Sequence, residues 1–167
     1  MTSIVQYPDV PCSYPTTLGA NVSTAIGNTP KVLAVFRNES TIDSLRAIMQ
    51  RFDFTPLNPS ADTLVTIQLV GGGTAVGGAW NAVGTPSLLD INTTMTGYSG
   101  GIVGVTAYSS ASASHGNTPP AASLSNIDAE SLGLVLYKHQ QFAIIASTRA
   151  AGATVNLAWA VNWLEKD

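Results

Sequence analysis

The chain has 167 residues, only 10 % of them charged, and a formal net charge of −3 with 7 Lys plus Arg, so it lacks the basic stripe that phosphate-backbone binding requires and nucleic acid is not an expected partner. Its length fits one compact domain with a core that needs no staple. Cys12 is the single cysteine, which forbids an intramolecular disulfide, and no Cys/His group has metal-ligand spacing, so neither metal nor cofactor is expected. Gly, Ala, Ser and Thr replace the missing charges, and a neutral surface of this kind suits life inside an assembly better than life as a free monomer.

Residues 1–30 carry Pro8, Pro11, Pro15 and Pro30 among Thr, Ser and Asn. Each proline removes a backbone donor and favours extended or turn geometry, so this stretch reads either as a disordered leader or as an arm that orders against a neighbouring subunit. No Lys or Arg precedes an apolar block, and no apolar run approaches the roughly 18 residues of a membrane span, so neither a signal peptide nor a span is expected. The body is expected over 31–167.

Lys31 to Asn38 opens the body as a strand, Val32-Leu33-Ala34-Val35-Phe36, ended by a polar turn. Ile42, Leu45, Ile48 or Met49 and Phe52 have helical spacing, while Ile42, Ile48, Phe52 and Phe54 share one side of a strand; the uniform β character of the neighbours selects strand. Thr63 to Val70 is a β-branched strand, and Gly71-Gly72-Gly73 then reads as a turn. Neither a Gly-Lys-Ser/Thr nor a G-x-G-x-x-G pattern accompanies it, so it is no phosphate cradle. Further strands are expected at Leu88 to Ile91, Ile102 to Tyr108, Leu132 to Tyr137 and Phe142 to Ser147, with a low-complexity loop over Ser109 to Pro120. Ala153, Val155, Leu157, Trp159, Val161 and Trp163 alternate with smaller or polar residues, the period of a strand with one apolar face. One such face requires a second layer, so the fold class is all-β: an antiparallel β-sandwich of jelly-roll type with an extended N-terminal arm.

One catalytic pattern is present. Gly97-Tyr98-Ser99-Gly100-Gly101 matches G-x-S-x-G, and Asp128 and His139 follow in the order of a hydrolase triad. That elbow needs a helix directly after the serine, whereas Ile102-Val103-Gly104-Val105-Thr106 is a strand pattern, and no enzymatic activity is expected. His115 and His139 read as loop residues, and Asp128 with Glu130 as solvated carboxylates rather than an acid/base pair. Trp80, Trp159 and Trp163 could stack sugars if exposed; a period-two apolar face argues that Trp159 is core, whereas Trp163 borders the charged tail Glu165-Lys166-Asp167.

Val35-Phe36-Arg37-Asn38-Glu39-Ser40, Arg51-Phe52-Asp53-Phe54, the glycine turn with Trp80-Asn81, and Ala160-Val161-Asn162-Trp163-Leu164-Glu165 together resemble jelly-roll structural proteins of tailed bacteriophages, over roughly residues 31–165. That group includes capsid decoration (cement) proteins and appendage tips, often trimeric. The resemblance implies a non-enzymatic virion protein on the outer capsid surface, assembled in the host cytoplasm. It would form a homotrimer, bind the major capsid protein lattice and stabilise the phage head. Tyr7, Pro8, Pro11, Tyr14 and Pro15 of the arm, and Trp163 of the last strand, are then the candidate interface residues. The alternative is a receptor- or glycan-binding tip of a fibre or tail appendage, with contacts around Trp80 and Ser109 to Pro120.

Overall fold

The computed structural model describes residues 8–16, 22–114, 121–122, 125–129 and 131–167, and among them there is no helix. The chain is all-β. Its strands are β1 (Val10–Tyr14), β2 (Ser23–Ile26), β3 (Lys31–Arg37), β4 (Arg46–Leu57), β5 (Thr63–Val76), β6 (Asn81–Ala82), β7 (Asp90–Asn92), β8 (Gly97–Ser112), β9 (Ala121–Ala122), β10 (Ser125–Asp128), β11 (Val135–Leu136), β12 (Gln141–Thr148) and β13 (Val155–Lys166). They form two antiparallel sheets. In one, β13 lies between β4 and the aligned pair β1 and β2, and β4 carries β10 and β11 on its far side; the other runs β6-β7-β3-β12-β5-β8-β9.

β1 and β2 follow one another along the same edge of β13, and β10 and β11 along the same edge of β4, so each pair acts as one interrupted strand. With the short β6, β7 and β9 set aside, the first strand position pairs with the last, the second (β3) with the seventh (β12), the third (β4) with the sixth (β10 and β11), and the fourth (β5) with the fifth (β8). This nested pairing is compatible with the expected jelly roll.

The alternation read in the last strand is the organising pattern of the core. Val155, Leu157, Trp159, Val161 and Trp163 all point inward and are buried. β4 answers them with Ala47 and Met49, then with Phe52, Phe54 and Pro56, a change of parity that coincides with a register shift opposite Asn162 and Trp163. A bulge of this kind inserts one residue and turns the next side chains to the other face. It explains why residues 42–54 look ambiguous in sequence: the apolar positions fit no single strand period, and Met49 rather than Ile48 enters the core. The segment is a strand from Arg46, after a turn at Asp43 and Ser44.

Two expectations are corrected here. The glycine tract is no turn, because β5 continues through it to Val76. The N-terminal stretch, where described, is no separate arm: β1 and β2 are edge strands of the body, with Val10 to Tyr14 opposite Glu165 to Val161. Proline at positions 8, 11 and 15 is tolerated there because an edge strand leaves part of its backbone unpaired. Residues 1–7 and 17–21 lie outside the described residues. So does Glu130, and so does His115 with the 115–120 part of the expected loop, whose first residues, Ser109 to Ser112, belong to β8.

Glu165, two residues beyond Trp163, keeps the inward parity and is fully buried. It accepts hydrogen bonds from the Ser87 hydroxyl, from the Leu88 N–H at 2.9 Å and from the Trp163 indole N–H at 2.9 Å. The Ser87 oxygen itself accepts from the Leu89 N–H at 3.0 Å, which leaves its proton for the carboxyl group. A buried carboxyl group is costly unless its lone pairs are met by donors, and these donors tie the segment before β7 to the last strand.

Trp163 and Trp159 are thus both core but differ at their N–H groups, because Trp159 Nε1 is buried with no partner. Trp163→Phe should lower stability in urea unfolding by about 1–3 kcal/mol more than Trp159→Phe, since only the former strips a donor from a buried carboxyl group. Equal losses would show that the Trp163–Glu165 contact contributes nothing.

Candidate functional site

The residues singled out in sequence for chemistry are not gathered by the fold. Ser99 lies exposed in β8, paired with Thr74, and the chain runs on as strand to Ser112, so no elbow raises its hydroxyl. Asp128 ends β10 in the other sheet and accepts from Ser131 N–H at 3.2 Å. His139 stands in the turn before β12 with φ 63°, its Nδ1 2.9 Å from Glu39 Oε2, beside a Lys138–Asp43 ion pair. Asp128 and His139 each have a local partner that fixes a loop or strand end.

Of the interface candidates, Pro8 and Pro11 are exposed, while Tyr7 is outside the described residues. Tyr14 is half-buried and stacks on Trp159 with ring centroids 5.4 Å apart. Pro15 is half-buried and follows it through a cis peptide bond. Trp163 is 0 % exposed, packed at 5.7 Å against the Phe36 ring, so its assignment to a subunit interface is corrected: its parity on β13 directs it into the core of its own chain. Trp80 is half-buried with the Arg37 guanidinium 4.2 Å from its ring centroid, and Arg37 is in turn held by Asp90 at 2.8 Å. One face of that indole is therefore already occupied.

The feature that stands out is one that residue types alone do not mark, the outer side of β8. β5 and β8 span 14 and 16 residues against 8 in β12, so the pair overshoots the sandwich. The overshoot bends where glycines allow it. A Cβ on Gly73 would stand 2.5 Å from the Tyr98 ring and 2.8 Å from two carbonyl oxygens; at Gly101, where φ is 92°, a Cβ would stand 2.9 Å from the Gly71 carbonyl oxygen. Beyond this corner the hairpin folds across the outer face of the seven-stranded sheet. There Tyr98, Met95, Trp80 and Ala75 pack over Val35, Val70 and Ala143. The Tyr98 hydroxyl accepts from Gly73 N–H at 3.0 Å and donates to Gln141 O at 3.3 Å, which pins the flap. This second layer accounts for the unbroken apolar run of β3, which is covered on both faces.

Where the pair bends, β8 is left bare on its far side. No described strand pairs with that edge between Ser99 and Thr106. Ile102 is 80 % exposed and Val103 48 %, and they leave the strand on opposite faces. Beside Ile102 a cleft of about 530 Å³ opens between the sheets, lined by Leu69, Val105, Phe142, Leu132, Leu134 and Leu136. Leu132 on its rim is 54 % exposed. The sequence from Ile91 to Ile127 contains no Asp, Glu, Lys or Arg. This surface offers a row of backbone hydrogen-bonding groups flanked by apolar side chains, the chemistry of strand addition. The signal available in sequence is the charge-free stretch itself, longer than any strand needs.

No protein-family model matches the chain, and no curated protein matches it.

Cys12, the one thiol, points inward opposite Trp163 and is buried. Burial, followed by the negative charge of Glu165 and a hydrogen bond to it, pushes the thiol up from 9.0 to about 12. Only the thiolate is a nucleophile, so Cys12 is not a catalytic candidate at neutral pH. A raised value in the folded state means that its contribution to stability is complete below pH 9 and is lost as pH rises towards about 12. The native protein should therefore leave Cys12 unlabelled by a disulfide reagent at pH 8 and be labelled at once when denatured. Cys12→Ser should flatten the alkaline loss of stability; rapid native labelling would contradict this placement.

Proposed function

We propose that the chain is a non-enzymatic structural protein of a virion. In this reading it is a self-associating capsid decoration protein that lies on the major capsid protein lattice and reinforces the phage head. The observation that carries this reading is the exposed, charge-free β8 edge with its apolar cleft, set on a two-sheet sandwich whose nested pairing is compatible with a jelly roll. A surface of this kind is suited to lasting protein contacts, because monomers seldom leave long apolar edges unguarded. The resemblance of residues 31–165 to phage jelly-roll structural proteins supplies the setting.

The mechanism is mass action. A protein that binds the assembled lattice and not its separated subunits stabilises the assembled form, and the gain grows with the ratio of free protein to dissociation constant. Among the described N-terminal candidates, Pro8 and Pro11 are exposed for such a contact, whereas Tyr14 stacks on Trp159 of its own sheet and Pro15 is half-buried; Tyr7 stays a candidate outside the described residues. The tip reading has less support, because the Trp80 ring that would stack on a sugar is stacked on Arg37.

Cryo-electron microscopy of purified particles tests this directly. Density for the sandwich should repeat across the outer capsid lattice, and particles lacking the protein should lose their DNA at a lower temperature. Density confined to tail tips, or absence of the protein from particles, would overturn the proposal.

A further inference from the structure

We propose that the Ser99–Thr106 edge of β8 is a self-association surface on which a second copy of this chain lays its own β8 antiparallel, joining the two seven-stranded sheets into one. In an antiparallel pair every second residue directs its N–H and C=O away from the neighbouring strand, and β5 uses only one side of β8. The other side, which no described strand covers, carries backbone donors and acceptors along a segment that has no proline and no charge.

The edges of this one protein are treated differently. The β1 edge carries Pro11 between Pro8 and Pro15. The edge of the other sheet next to β8 ends in Asp128, and β6 at the opposite end of the larger sheet is two residues long. Proline, charge and shortness are the usual guards against edge pairing. β8 has none of the three; the one guard it carries there is a bulge at Gly104, opposite the Leu69–Val70 step, and on the N-terminal side of that bulge it exposes Ile102 and Val103 on its two faces.

Charge points to a second copy as the occupant. Each chain carries −3, so contact between copies is opposed wherever both present acidic groups. It is unopposed along Ile91 to Ile127, where neither presents any. An uncharged strand edge offers a foreign partner no charge to complement, whereas its own copy brings the same row of donors and acceptors and the same apolar pair. A two-fold axis through β8 makes such a contact self-complementary and closed. Ile102, lying at the mouth of the cleft with Leu132 and Leu134, is covered as the strands join, and Val103 is covered on the outer face. The contact gives a dimer, which replaces the expected trimer at this surface. The inference rests on the structural-protein reading only for the purpose of self-association, not for its place in a particle.

The test is the mass of the full-length purified protein by size-exclusion chromatography with light scattering, over about a hundredfold range of micromolar concentrations. The expected mass is twice the 17.3 kDa of the chain. Ile102→Lys and, separately, Val103→Lys should raise the dissociation constant at least about a hundredfold. Leu64→Lys, at another exposed apolar position on β5, should leave the dimer intact. Circular dichroism melts establish that the variants fold, which the exposure of Ile102 favours. A wild-type monomer, a mass three times that of the chain, a dimer that survives both lysine variants, or one abolished by removing residues 1–7 would each overturn the proposal. A monomer that still decorates capsids would remove this surface and leave the structural role standing; a β8 dimer absent from particles would do the reverse.

Discussion

Two strands that run well past the sheet they belong to must either leave the body or bend back over it. At about 3.3 Å per residue, β5 and β8 outreach β12 and β3 by several residues. The glycines at 71–73 and 100–101 decide the outcome, because a side chain at Gly73 or Gly101 would collide with Tyr98, Val70 or the opposing backbone. From that bend follow the flap over the outer face, the two-sided burial of β3 and β12, the Arg37–Trp80–Asp90 contact and the exposure of β8. A straighter pair would leave Val35, Val70 and Ala143 in water.

The second support is the last strand, which gives one whole face to the core and ends in a buried carboxyl group. Glu165 joins β13 to the segment before β7 through neutral donors only, so one contact spans both sheets. A buried carboxyl group held in this way costs stability in isolation but favours a single register, because sliding β13 by one residue would put Glu165 outside and its donors in an apolar core.

Much of this was legible in the residues. The alternation from Ala153 to Trp163 predicts a one-sided strand, and the pairing of β13 with β4 agrees with it. The objection to a nucleophile elbow at Ser99 also agrees with the structure, since the β-branched run after it is strand. What was not legible depends on partners distant in sequence. Trp163 and Glu165 read as a boundary and a charged tail, although parity alone places both inward. The bulge in β4 hides its period, and prolines at the start suggest an arm where the body needed an edge strand. The glycine tract reads as a turn because propensity does not distinguish a turn from a corner within a long strand. The bare edge of β8 shows in sequence only as the charge-free stretch from Ile91 to Ile127; on which side the strand lacks a neighbour is set by topology, and its own residues do not say.

The most direct test of this account is amide hydrogen exchange along Ser99 to Thr106, measured in dilute protein and again at concentrations where it assembles. Strand pairing at the β8 edge predicts that alternate amides there, open in dilute solution, become protected on assembly, while those already bonded to β5 are protected in both. Exchange along this segment that is the same in both conditions, with new protection arising elsewhere, would contradict it.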